Sequence, residues 1–203
     1  MGNIMEPLFI KEFLPKQVLN ILYSYCIIKY SNKTNFEIDT QTSSLAADYG
    51  DHLMETILDL STPVVETNVN KKLFPTYSYL RVYDKGSDLK IHKDRPACEY
   101  TVALCIGADP SDKPYDLFVG EADETSDYKY YGEHPIAFNK YRIDHKFSML
   151  PNNAVIFKGM EKIHWREYCK HDHYITVFLH YVDQEGKYKE EKFDKRHLLG
   201  AKK

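Results

Sequence analysis

Tyr77-Ser78-Tyr79-Leu80-Arg81-Val82-Tyr83 is the stretch where this chain changes its period. Before it, apolar residues recur at helical spacing. From Pro75 onward they alternate, which is the signature of strands. Alternation puts Tyr77, Tyr79, Arg81 and Tyr83 on one face of a strand, with Ser78, Leu80 and Val82 on the other. Lys85-Gly86-Ser87 then reads as a turn, and strands are expected over Leu89–Asp94, Tyr100–Ile106, Ala154–Lys158 and Tyr174–Val182. Pro151-Asn152-Asn153 is the tight turn before the third of these.

Upstream of the change, the chain reads as helical with a short strand at its start. Pro15 fits the first turn of a helix, where its missing N–H costs nothing, and Val18, Ile21, Leu22 and Tyr25 follow at helical spacing. A second helix is expected from Leu45 to Leu60. Thr62-Pro63 reads as the N-cap and first position of a short third. The sum is a mainly β fold with flanking helices (α+β) and a jelly-roll or cupin-like core. It divides into a helical leader (1–74), a β core (75–183) and a charged tail (184–203) expected to be a frayed helix or disordered. With no repeat and no linker, residues 1–203 read as a single domain. Residues 107–135 lack apolar periodicity and carry Asp109, Asp112, Asp116, Glu121, Asp123, Glu124 and Asp127. They read as a solvated surface loop, with a lid or substrate-recognition segment as the functional alternative.

Composition excludes several classes. The 203 residues are 43% hydrophobic and 28% charged, values that exclude disorder and fibres. A net charge of −3 speaks against a large nucleic-acid footprint. No apolar run reaches the roughly 18 residues of a membrane span. Cys26, Cys98, Cys105 and Cys169 form no C-x-x-C pair, and no leader or myristoylation signal is read at the start. The expectation is four reduced thiols in a cytoplasmic protein, or a protein of the host cytoplasm if the source is viral.

His92-Lys93-Asp94 is the chemically informative motif. Residues i and i+2 of an extended segment share a side, so His92 and Asp94 can reach one ion while Lys93 points away. His164 supplies a second imidazole, completing a 2-His-1-carboxylate facial triad suited to Fe(II) with positions left open. An H-x-D by itself is weak, and nine histidines offer other candidates. His171-Asp172-His173 is treated as a decoy, His134 and His145 as surface residues, His52 as helical and His180 as a satisfied core histidine.

The setting of the motif is more specific. The segment Tyr77 to Tyr83, Gly86 and His92-Lys-Asp94-Arg-Pro96 resembles the prolyl 4-hydroxylase-like branch of the 2-oxoglutarate/Fe(II) dioxygenases. So does the block Leu150 to Gly159, His164-Trp-Arg166 and Val177-Phe-Leu-His-Tyr181. The resemblance covers roughly residues 75 to 183. It implies a double-stranded β-helix core, the metal ligands His92, Asp94 and His164, and Fe(II), 2-oxoglutarate and O₂ as reaction partners. It further implies hydroxylation of a C–H bond, with succinate and CO₂ as co-products and peptidyl proline as the best-known substrate class.

The co-substrate needs a cation for its distal carboxylate, and a guanidinium forks it bidentately. The family usually places an Arg or Lys nine or ten residues after the distal histidine, where this chain has His173 and Tyr174. Arg166, two residues after His164, is the first choice for the anchor; Arg81 is the second, with Lys170 and His173 behind them. Tyr83 matches a family tyrosine that hydrogen-bonds the co-substrate. Arg95 reads as touching substrate or pairing with an acid such as Glu99, and Trp165 as packing beside the metal strand. The acidic loop points to a basic peptide or protein substrate, with a small molecule as the other option. Two alternatives stand beside the hydroxylase: a nucleic-acid base dioxygenase, which needs a basic aromatic groove, and a metal-binding, non-oxygenase cupin, which needs no buried cation.

Overall fold

Strand alternation sorts the molecule into two cores that share one sheet. The computed structural model describes residues 5–33, 36–38, 41–42, 46–122 and 141–201. Strand β1 (Leu8–Ile10), helix α1 (Lys16–Ser31), strand β2 (Ala46–Tyr49) and helix α2 (His52–Val69) come first. Strands β3 (Leu73–Asp84), β4 (Leu89–His92), β5 (Tyr100–Asp109), β6 (Leu117–Ala122) and β7 (Tyr141–Phe147) follow. Strands β8 (Ala154–Phe157), β9 (Ile163–Arg166) and β10 (His173–Asp183) complete the sheets. The larger sheet runs β1-β8-β5-β10-β3-β2 and the smaller β4-β9-β6-β7. Every pairing is antiparallel. This is a double-stranded β-helix.

The outer core joins the larger sheet to the helices. Leu80, Val82, Val102, Leu104, Val177 and Leu179 pack against Leu22 and Cys26 of α1 and Met54, Leu58 and Val65 of α2. The inner core lies between the sheets, where Tyr83, Cys105, Phe157, Tyr174 and Phe178 meet Leu89, Leu117 and Val119. Each large apolar side chain buried this way contributes roughly 1.5–3 kcal/mol. Helix α2 begins at Asp51, whose Oδ1 accepts from the N–H groups of Leu53 and Met54, each at 3.0 Å. It ends at Asn70 in the left-handed conformation, φ 52°.

Several expectations need correction. The helix expected over Leu45–Leu60 begins only at His52, because Ala46–Tyr49 pairs with β3 as an edge strand; Leu45 lies outside the described residues. Thr62-Pro63 starts no new helix. Pro63 sits inside α2, where Met54, Leu58, Ser61 and Val65 form one continuous buried face that outweighs the lost backbone bond. The strand expected to reach Asp94 stops at His92, since the Asp94 N–H turns to the Gly159 carbonyl at 2.9 Å.

Residues 107–135 are not one loop. Gly107–Asp109 finish β5 and Leu117–Ala122 form β6; 123–140 lie outside the described residues. Nor is the tail frayed. It makes a 3-10 segment, Lys189–Lys195, and buries Asp194 and Arg196. Arg196 donates to Glu55 at 2.6 Å and to the Thr76 carbonyl at 3.0 Å. The four cysteines are free and buried, as expected. Among the described residues, no helix is long and apolar enough to cross a membrane.

Candidate metal centre and carboxylate anchor

His92 and His164 are direct partners across the β4–β9 pair, so the sheet register alone sets their spacing. Their ring centroids are 4.2 Å apart. Asp94 arrives from just beyond β4. Its Oδ1 lies 3.5 Å from His92 Nε2 and 3.6 Å from His164 Nε2. First-row ions with bonds of about 2.1 Å hold adjacent donors roughly 3 Å apart, so a small inward shift closes the set on one ion. One ligand atom from each of the three residues falls within a 4.8 Å group.

The surroundings fix each ligand. His92 Nδ1 donates to the Lys90 carbonyl at 2.7 Å and His164 Nδ1 to the Lys162 carbonyl at 3.3 Å. A carbonyl only accepts, so both rings carry their proton on Nδ1 and turn a bare Nε2 towards Asp94. Thr101 donates to Asp94 Oδ2 at 3.1 Å. Gly159 makes that approach possible: a Cβ there would lie 2.3 Å from Asp94 Oδ2 and 2.4 Å from the Thr101 hydroxyl. Burial by itself raises the Asp94 carboxyl, but the neighbouring His164 and His92 side chains overcome it and hold it well below the usual carboxylate range. Burial, then repulsion from His92, pushes His164 down to about 3. The centre therefore offers imidazole nitrogens and one carboxylate, the donor set a divalent ion needs.

Arg166 follows His164 on the same side of β9 and is 1% exposed. Its Nη1 donates to the Tyr115 carbonyl at 2.6 Å. Nε and Nη2 are buried without any acceptor. The guanidinium sits 4.9 Å from the Tyr115 ring, 5.1 Å from Tyr174 and 5.7 Å from Tyr83. Each buried unsatisfied donor costs roughly 1–3 kcal/mol, more when charged. An aromatic cage holding a guanidinium with two idle, adjacent N–H groups fits one bidentate carboxylate. Thr176 adds an idle buried hydroxyl. It shares its face of β10 with Tyr174 and Phe178 of the inner core.

Arg81 is equally buried but engaged. It donates to Gln41 at 3.0 Å and to the Tyr83 hydroxyl at 3.2 Å, and its guanidinium stacks near Tyr79 and Phe178. The structure thus brings His92, Asp94 and His164 together, and gathers Arg166 with Tyr83. His171 and His173 stand apart, bonded to the Lys113 carbonyl and to Tyr23. His180 is the satisfied core histidine expected, bonded to Thr101 at 3.1 Å, and burial lowers it to about 4. It also forms, with Asp94 and Cys98, a second potential ligand group. There the Cys98 thiol is engaged with Tyr77. His145 is half-buried and pairs with Glu6. His134 lies outside the described residues. Trp165 stacks on Phe118 at 5.3 Å, as expected for a packing residue. Arg95 does not pair with Glu99, which binds Lys158; it grips Asp194.

Sequence reasoning missed Tyr115, Thr101, Gly159, Tyr174 and Thr176. Tyr115 lay in the stretch read as loop, although the apolar run Leu117-Phe118-Val119 beside it marks a strand buried on both faces.

No protein-family model matches this sequence, and no curated protein does. Solved structures do. A prolyl-4-hydroxylase from Pseudomonas putida superposes with a TM-score of 0.60 at 13% identity, over 87% of this chain and 92% of that one. The non-heme alpha-ketoglutarate-dependent carbocyclase SnoK, of nogalamycin biosynthesis, gives 0.67 at 11% identity, over 87% and 79%. A prolyl hydroxylase from Trichoplax adhaerens, in complex with a hypoxia-inducible-factor peptide fragment, gives 0.56 at 14%, over 92% and 85%. The fold of this chain is the one these oxygenases share.

Proposed function

We propose that this chain is a 2-oxoglutarate- and Fe(II)-dependent dioxygenase of the prolyl 4-hydroxylase-like kind. It acts as one catalytic domain and hydroxylates a C–H bond of a peptide or small-molecule substrate. The observation that carries the reading is the pairing of His92, Asp94 and His164 with Arg166, one strand repeat further along β9. A metal-binding cupin without oxygenase activity has no use for a buried guanidinium holding two idle N–H groups. A nucleic-acid enzyme fits poorly with the net charge of −3.

His92, Asp94 and His164 would hold the ion, and Arg166, with Thr176 and Tyr83, the distal carboxylate of the co-substrate. Bound there, iron and 2-oxoglutarate supply the activation of O₂ for C–H hydroxylation, with succinate and CO₂ released. The residues of the chain provide placement. The Lys90 and Lys162 carbonyls aim the imidazoles, Thr101 steers Asp94, and the inner core excludes water. Two of the similar structures are prolyl hydroxylases, one of them bound to a peptide. That supports peptidyl substrates, proline among them, while SnoK supports a small molecule.

The test is succinate release from the purified protein given Fe(II), 2-oxoglutarate and O₂, with slow uncoupled turnover expected even without the prime substrate. Asp94→Ala should abolish it. Undiminished release from that variant would reject the metal assignment.

A further inference from the structure

The tail ends in an unusual way beside the metal centre. Phe193, Asp194 and Lys195 are consecutive non-glycine residues at positive φ, 53°, 56° and 62°. Left-handed backbone costs roughly 1–2 kcal/mol per residue, and such a run persists only where its surroundings fix it. Here they do. Asp194 is 1% exposed and takes both Arg95 nitrogens, Nη1 in a short contact and Nη2 at 2.8 Å. Tyr49 donates to Asp194 at 2.5 Å. Arg196, two residues on, is pinned by Glu55.

Arg95 directly follows the ligand Asp94. Its guanidinium lies 4.3 Å from the centre of the Tyr77 ring, which also has His180 as a neighbour at 4.5 Å. Left alone, this cation would repel a divalent ion through a low-dielectric wall. The forked pair removes that effect, since it cancels the charge.

We propose that Asp194 is a positioning residue. Through its ion pair with Arg95, it keeps the metal pocket receptive to a divalent cation. The proposal rests on the metal reading above. The strained turn exists to deliver one carboxylate to one guanidinium, so the tail is part of the metal centre although it supplies no ligand.

Cobalt(II) titration, followed by its visible absorption, tests this without turnover. Asp194→Asn should weaken cobalt binding by at least roughly tenfold, since it leaves an uncompensated cation beside the ion. The double variant Arg95→Gln/Asp194→Asn removes both charges and should return the affinity to within about twofold of the parent, because net charge at the site is restored. A merely structural role predicts otherwise, since the double variant also lacks the tail's anchor. Unchanged binding in the single variant overturns the proposal, and so does a double variant as weak as the single one. Asp94→Ala, measured alongside, separates the two levels: if it binds cobalt like the parent, the metal reading itself falls.

Discussion

Arg166 concentrates the chemistry of the anchor in one side chain. Its charge is buried among three tyrosine rings, which attract a cation by their faces but offer Nε and Nη2 no lone pair. A carboxylate entering the cage satisfies both donors at once. Arg166→Ala should therefore raise the 2-oxoglutarate concentration needed for succinate release on the order of a hundredfold, while leaving the iron requirement nearly unchanged. Titration of each in turn checks this; equal changes in both would shift the anchor to another cation. The position of Arg166 is legible in sequence because i and i+2 share a strand face. Its isolation is not, because that depends on Tyr115 and Tyr174, 51 and 8 residues away, folding over it. Thr101 and Gly159 were invisible for the same reason: their roles arise from the approach of β5 and β8 to Asp94, which no local pattern encodes.

Helix α2 shows where element boundaries escape a single sequence. Asp51 is a strong N-cap residue, yet the sequence places the helix start seven residues early, because the Ala-Ala pair ahead of it favours helix locally and pairs as a strand only through β3. The same cap makes a pH-dependent contribution. Asp51 also accepts from Lys29 at 2.9 Å and from Tyr25 at 2.5 Å. Burial alone would raise its carboxyl, but the Tyr25 and Lys29 bonds overcome it, so the folded value lies below the ordinary 3.8. The stability that comes with a depressed carboxyl is present above the unfolded value and disappears as pH falls through the folded one. Asp51→Asn keeps the cap but loses the charged partner, so it should cost roughly 1.5–3 kcal/mol at pH 7. Its melting curve should converge on the parent's as the pH drops below about 3.8, the ordinary value. A gap that persists undiminished in acid would deny Asp51 this role. The long central strands were the most legible elements, since β3 and β10 are long runs rich in β-branched and aromatic residues. Strands β2, β6 and β9 were the least, being only four to six residues long.

At the scale of the whole molecule, the last turns of chain are fastened to the first helical layer. Glu55 and Arg196 are each 2% exposed in their side chains and 141 residues apart. Charge composition marked the tail as solvated, because a buried ion pair looks the same in sequence as a surface one. Arg196→Ala leaves Glu55 buried without its cation, which should lower unfolding free energy by roughly 3–5 kcal/mol. Urea denaturation measures it, and a loss below about 1 kcal/mol would mean that the tail is not held as described.

On the proposed reading, strand β9 carries the ion-binding imidazole of His164 and the carboxylate-binding guanidinium of Arg166 one side-chain repeat apart, roughly 6.5–7 Å along the backbone. The polypeptide thus acts as a gauge for the diacid it admits. A diacid would have to match that interval, so homologues of 2-oxoglutarate one carbon shorter or longer should support succinate-type turnover less well. Chain-length discrimination among oxo-acids would then follow from the pleat of one strand.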